Sequence, residues 1–251
     1  MSYDFEKSIE NLYMLHYITK KYDHFIGFKR SLWNSWTLFE PSKFIYAYFA
    51  FNSFYNFDWV KSIEEKKLVP LEREDDNLHE AIKCPECGQE LEKKNNIGFK
   101  EKTKYKAMIN FIFDGIEEHK IDANTIFLEI ITNNGRLKEN KIIEEISMIT
   151  NDNHIEEHVR EGFKKELEQI LNTRKINKKH LREDIIYFIY MVRNNIFHGS
   201  KNTIEMSEDF QRKRLNIYSN IIIAINELLF KVLEQREVFK PEGIYRFPYE
   251  S

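Results

Sequence analysis

The chain is poor in the residues that make turns and cross-links. Eight glycines and five prolines in 251 residues are too few for a loop-rich or all-β chain, whose turns consume both. Only two cysteines occur, both in Cys84-Pro85-Glu86-Cys87, so no disulfide framework holds the chain together. No apolar run reads as approaching the length of a membrane span. The first residues, Met1-Ser2-Tyr3-Asp4-Phe5, are polar and acidic rather than signal-like. Together these absences lead to the expectation of a soluble, cytoplasmic protein of a reducing compartment, with no membrane partner. A formal net charge of −3 is too small to name a partner, and no repeats or low-complexity tracts stand out.

What is abundant is apolar and aromatic. There are 20 Phe and 13 Tyr, so the core is expected to be heavy in rings. Apolar residues recur at helical spacing along most of the chain, which predicts an all-α helical bundle. Phe5, Ile9, Leu12, Tyr13, Leu15 and Tyr17 predict a first helix. The stretch from Phe25 to Phe39, with Trp33 and Trp36, is ambiguous at its ends and reads as packing against the bundle. Glu40-Pro41-Ser42 reads as a helix start, leading into Phe44, Ile45, Tyr46, Ala47, Tyr48, Phe49, Ala50, Phe51, Asn52, Ser53, Phe54 and Tyr55. Asn52 is the polar exception in that run, and a buried amide must find hydrogen-bond partners.

Further helices are predicted around Tyr105 to Ile116, around Ile126 to Ile131 with a turn at Asn133-Asn134-Gly135, and around Ile142 to Ile149. Asn151-Asp152-Asn153 is the expected cap of an amphipathic helix with Val159, Phe163, Leu167, Ile170 and Leu171 on one stripe. His154 and His158 stand four apart there, a metal-ligand spacing that a solvated face explains better. The last long helix is expected to start near Ser207 and to bury Leu215, Tyr218, Ile222, Ile225, Leu229 and Val232 against the helix before it. The expected organisation is an N-terminal helical segment (1–40), a helical domain (41–236) and an irregular tail (237–251).

Residues 60–100 read as an insertion in that domain. It holds an acidic stretch and the Cys84-Cys87 pair. One such knuckle supplies two of the four ligands that structural zinc requires. His79 or a second chain is the available source of the rest, and a plain loop is the alternative.

The chain is organised around residues 184–201. Ile185, Ile186, Tyr187, Phe188, Ile189, Tyr190, Met191 and Val192 are apolar on nearly every side, which places this helix in the middle of a bundle. Yet it ends in Arg193-Asn194-Asn195-Ile196-Phe197-His198-Gly199. Ionisable groups appended to a core helix are costly unless they face a cleft or a partner. From 174 to 214 there are ten Lys and Arg against five Asp and Glu, a local excess suited to a polyanion.

Arg193, the polar Asn194 and His198 resemble the R-x(4–6)-H motif of the HEPN superfamily, all-helical domains that include metal-independent ribonucleases of toxin and antiviral systems. The resemblance covers the C-terminal third and extends to the helix of Asn52, which is similar to the first HEPN helix. It implies an endoribonuclease that needs no cofactor and acts on RNA in the cleft of a homodimer. His198 would be the general base or acid and Arg193 the grip on the scissile phosphate. Asn194 would orient the phosphate or the partner's histidine, Asn195 and Lys201 would be auxiliary contacts, and Asn52 a supporting residue. A regulatory partner such as an antitoxin is also implied. The inventory of residues agrees. Arg193 and His198 are five apart, about 140° in helical projection, so one copy is a poor constellation and two copies around a twofold axis supply acid, base and positive charge. The alternative is a non-catalytic helical module of the same type that binds a nucleotide, RNA or a protein, or a zinc-stabilised nucleic-acid binder.

Overall fold

The computed structural model describes residues 5–20, 39–56, 101–133, 135–149, 155–197 and 208–237, and every regular element among them is helical. The elements are α1 (Phe5–Lys20), α2 (Phe39–Asn56), α3 (Glu101–His119), α4 (Ala123–Ile131), α5 (Glu139–Ser147) and α6 (Glu157–Thr173). A composite rod follows: one turn, α7 (Lys178–His180), a π-helical turn (Leu181–Ile185), and α8 (Ile186–Phe197). The last element is α9 (Asp209–Gln235). The all-α expectation holds for these residues.

The centre of the bundle is α9, not the rod. Helices α1, α2, α3, α4 and α5 all pack on it. Residues 217–226 are buried without a break. The expected stripe of Leu215, Tyr218, Ile222, Ile225, Leu229 and Val232 is buried, but so are the residues between. Sequence periodicity under-read this helix because Ser219, Asn220 and Asn226 look like a solvated face. Two of those polar groups are bonded inside instead: Ser219 Oγ donates to the Leu215 carbonyl at 2.6 Å, and Asn220 Oδ1 accepts from Lys43 Nζ at 2.9 Å. By length and composition α9 is also apolar enough to cross a membrane, contrary to the expectation that no run comes near that length. Here its apolar stretch is buried inside the bundle.

The rod is buried only at its beginning. Leu181, Ile185, Ile186, Phe188 and Ile189 are in the core, whereas residues 190–194 are half-buried. Its partner is α6, whose whole predicted stripe, Val159, Phe163, Leu167, Ile170 and Leu171, is buried. Phe163 and Phe188 stack at 4.1 Å, and the Tyr218 ring meets both edge-on at 5.7 and 5.5 Å. This three-ring joint is where α9 meets the rod, as expected. Edge-on aromatic packing of this kind adds about 0.5–1.5 kcal/mol per pair beyond area burial.

Close approach elsewhere needs glycine. A Cβ on Gly115 of α3 would lie 2.2 Å from Val232 Cγ1, so only glycine lets α3 and α9 pack at this distance. After α4 the chain reverses through Asn133 (φ 50°) and Gly135 (φ 80°), both left-handed. That matches the predicted turn. The predicted caps fare differently. The residues preceding α6 and α9 are Glu156 and Glu208, and neither side chain caps its helix. Asn151-Asp152-Asn153 and Ser207 lie outside the described residues, as do the whole of 60–100 and the tail beyond residue 237. Helix α1 packs on α2 and α9, so the N-terminal segment contributes to the same bundle.

Candidate functional site

Arg193 sits two turns into α8, in its half-buried part. Its guanidinium lies over the Tyr48 ring of α2, 5.5 Å from the centroid, and its Nη1 donates to Asn194 Oδ1 at 2.8 Å. A cation over a tyrosine face contributes about 0.5–1 kcal/mol at a partly exposed position. More important for function, the two contacts hold a long side chain in one place. Asn194 is half-buried beside it, and Asn195 is buried, with an amide Nδ2 that makes no hydrogen bond.

Asn52 belongs to the same neighbourhood. It lies one turn beyond Tyr48 on α2, and residues four apart share a helix face. The structure therefore brings together the helix of Asn52 and the side chain of Arg193. His198 and Lys201 lie outside the described residues, as do Cys84, Cys87, His79 and His154. His158 is exposed and pairs with Glu156 at 3.2 Å, in keeping with a solvated face.

Sequence reasoning missed a run of tyrosines behind the arginine. Tyr48 and Tyr55 share a hydroxyl contact of 3.2 Å. Tyr55 meets the Tyr105 ring at 6.3 Å, and Tyr105 meets Tyr190 of α8 at 6.0 Å. The Tyr105 hydroxyl is buried without a hydrogen bond, and burial pushes its acidity well below that of a free phenol, so it stays protonated. The available signal was the choice of tyrosine over phenylalanine at core positions, since a buried hydroxyl calls for a partner.

Five of the ten basic residues of 174–214 form ion pairs within the fold. Arg174 pairs with Glu139 at 3.2 Å, Lys178 with Asp114 at 2.9 Å, Arg182 with Glu183 at 3.0 Å, Arg212 with Glu40 at 3.1 Å and Lys213 with Asp209 at 2.8 Å. Buried Lys106 also reaches Glu183, at 2.9 Å. Burial alone would raise the Glu183 carboxyl, but Lys106 and Arg182 hold it below its ordinary range. Such pairs neutralise the surface locally, and Arg193 lies among the described residues at this end of the rod. Among the described residues one group of metal-ligating side chains converges, Glu166, His180 and Asp184, at the other end of the rod.

Set against known proteins, the chain matches no known family, no curated protein and no solved structure. The reading of the site therefore stands on its own residues.

Proposed function

We propose that the protein is a HEPN-type, metal-independent endoribonuclease, a toxin or antiviral effector that works as a homodimer. The observation that carries the proposal is the fixed guanidinium of Arg193, held by Asn194 and Tyr48 at the half-buried end of a helix in an all-α bundle. An arginine immobilised before substrate arrives loses less entropy on gripping a phosphate, and its planar fork suits that anion. His198 follows on the same chain segment, five residues on.

In this reading one histidine takes the proton from the ribose 2′-hydroxyl, which attacks the adjacent phosphorus. The histidine of the second copy gives a proton to the departing 5′-oxygen. The two arginines stabilise the charge of the pentacovalent phosphorane. The products are a 2′,3′-cyclic phosphate and a 5′-hydroxyl, and no bond in the sequence requires a metal. Asn194 orients the phosphate or the opposing imidazole, and Asn52 supports Arg193 from α2.

The test is incubation of purified protein with RNA in EDTA, with end-group analysis of the products. Cleavage should occur, and Arg193→Ala and His198→Ala should each abolish it. Undiminished cutting by both variants would sink the assignment. Tight RNA binding without turnover in the parent protein would favour the non-catalytic helical module.

A further inference from the structure

At the opposite end of the rod from Arg193, the π-helical turn places two ligand-type side chains against α6. His180 Nδ1 lies 2.9 Å from Asp184 Oδ2 and 3.3 Å from Glu166 Oε1. No two of the three donor atoms are more than 4.8 Å apart. An ion with bonds of about 2.1 Å in tetrahedral array sets its donors about 3.4 Å apart. Closing the longest of these gaps, by up to about 1.4 Å, is within the reach of a side-chain torsion.

The decisive member is Glu166. It is 5% exposed, and its carboxylate makes no hydrogen bond among the described residues. Its one charged neighbour is an imidazole nitrogen already bonded to Asp184. A single nitrogen carries one proton, which cannot serve two carboxylates. Even with the imidazole charged, the cluster of two carboxylates keeps a net charge of −1, partly out of water. A divalent cation removes that excess. Two carboxylates, a neutral imidazole and a dication sum to zero.

Two further features fit a built site. Gly162, one turn before Glu166 on α6, lies where a Cβ would come within 3.0 Å of Asp184 Oδ1. Glycine is the poorest ordinary helix former, and here it leaves the Asp184 carboxylate room. In addition, the Ile186 N–H reaches back five residues to the Leu181 carbonyl, and π-turns of this kind recur at functional sites. The imidazole and Asp184 are only partly exposed, with side chains 38% and 30% accessible, so water completes the coordination shell from the open side.

We propose that Glu166, His180 and Asp184 bind one divalent transition-metal ion, zinc or manganese, which clamps α6 to the π-turn at the head of the rod. One imidazole and two carboxylates suit these borderline ions rather than thiophilic ones. The site stands about 13 Å of helical rise before Arg193. Its role is structural and independent of the ribonuclease reading, so metal removal changes stability and leaves the cleavage chemistry untouched.

The test uses the full chain carrying Cys84→Ser and Cys87→Ser, which removes the only thiolates. After stripping with EDTA, zinc and manganese are titrated, with calorimetry and thermal melting as readouts. One equivalent should bind with micromolar affinity and raise the melting temperature. Glu166→Gln and His180→Ala should weaken binding at least about tenfold. Metal-free Glu166→Gln should melt no lower than its parent, because the amide sheds a buried charge at constant shape. No binding up to millimolar metal overturns the proposal, as does binding that Glu166→Gln and His180→Ala leave unchanged. A lower metal-free melting temperature for Glu166→Gln together with an unaltered metal response would reduce the triad to an ion-pair clamp and likewise overturn it.

Discussion

Helices α8 and α9 read alike in sequence, as apolar runs with a few polar interruptions, yet they do opposite things. In α9 residues 217–226 are buried on all sides, and the polar side chains Ser219 and Asn220 are bonded within the core. In α8 continuous burial stops near Ile189; of the polar groups that follow, Arg193 and Asn194 are half-buried and stay together, with Arg193 also over Tyr48, and Asn195 is buried. The difference lies in neighbours. Helix α9 is long enough to be surrounded by five others, whereas α8 packs chiefly on α6 and leaves one end at a rim. Ser219 and Asn220 in the first setting serve the fold. In the second, Arg193 and Asn194 hold each other at the rim.

Truncation should expose that contrast most strongly. Leu229→Ala in α9, at a position with no exposure, should cost about 2–5 kcal/mol, the range for a buried leucine. Met191→Ala in the half-buried part of α8 should cost less than half as much by urea denaturation. Equal losses would erase the distinction between hub and rim. Arg193→Ala should invert the ranking when activity is read. Loss of a charge-stabilising donor lowers the rate about a hundredfold or more, while stability falls by only about 0.5–1 kcal/mol, the worth of its contact with Tyr48. A melting transition displaced as far as that of Leu229→Ala would assign Arg193 to the core instead.

The helices themselves were legible because apolar spacing reports local geometry directly. Phe163, Leu167, Ile170 and Leu171 of α6 are buried as their spacing predicts. The rank of the helices was not legible, because periodicity says which side of a helix is apolar and nothing of how many neighbours cover it. Asn220 looks solvated until Lys43, 177 residues away in sequence, is seen to bond it. The same holds at the sites. Arg193 and Asn194 stood out as polar residues closing an apolar run, but Tyr48 became part of the arrangement only through tertiary contact. Glu166 was hidden on a charged helix face, since its burial is made by the π-turn packed against it. His180 looked like one cation in a basic segment, although its nearest charges are two carboxylates.

The hub also contains a polar group that the fold does not use. Asn226 is 1% exposed, and neither its amide nitrogen nor its oxygen makes a hydrogen bond. An unsatisfied buried polar group costs about 1–3 kcal/mol. Asn226→Leu, of similar size, should therefore raise the urea midpoint, the reverse of the outcome at Leu229. A destabilised Asn226→Leu would mean that the amide has a role in the hub comparable to Ser219 and Asn220.

The smallest effect concerns how α1 is held on the hub. His16 is 1% exposed, stacks on Phe230 at 5.2 Å, and its Nε2 lies 2.8 Å from Glu227 Oε2. Lys20 reaches the same oxygen at 2.8 Å. Burial lowers the affinity of the His16 imidazole for a second proton, against the pull of Glu227, so the neutral ring donates from Nε2 and leaves Nδ1 without a partner. Burial would raise the Glu227 carboxyl, but the bond from His16 and the charge of Lys20 hold it below its ordinary range. The signs then separate two pH windows. A histidine with a depressed folded-state pKa stabilises fully above its unfolded value, about 6.5, and that stability is lost as the pH falls below it. The carboxylate contribution of Glu227 begins to fade only below about 4.5. Between about pH 7 and 5.5 the parent should therefore lose stability, at no more than about 1.4 kcal/mol per pH unit for one proton. His16→Phe, which keeps the stacking surface but cannot titrate, should lose less than half of that. An equal loss in both proteins would place the acid sensitivity elsewhere in the bundle and leave α1 anchored by Lys20 and Glu227 alone.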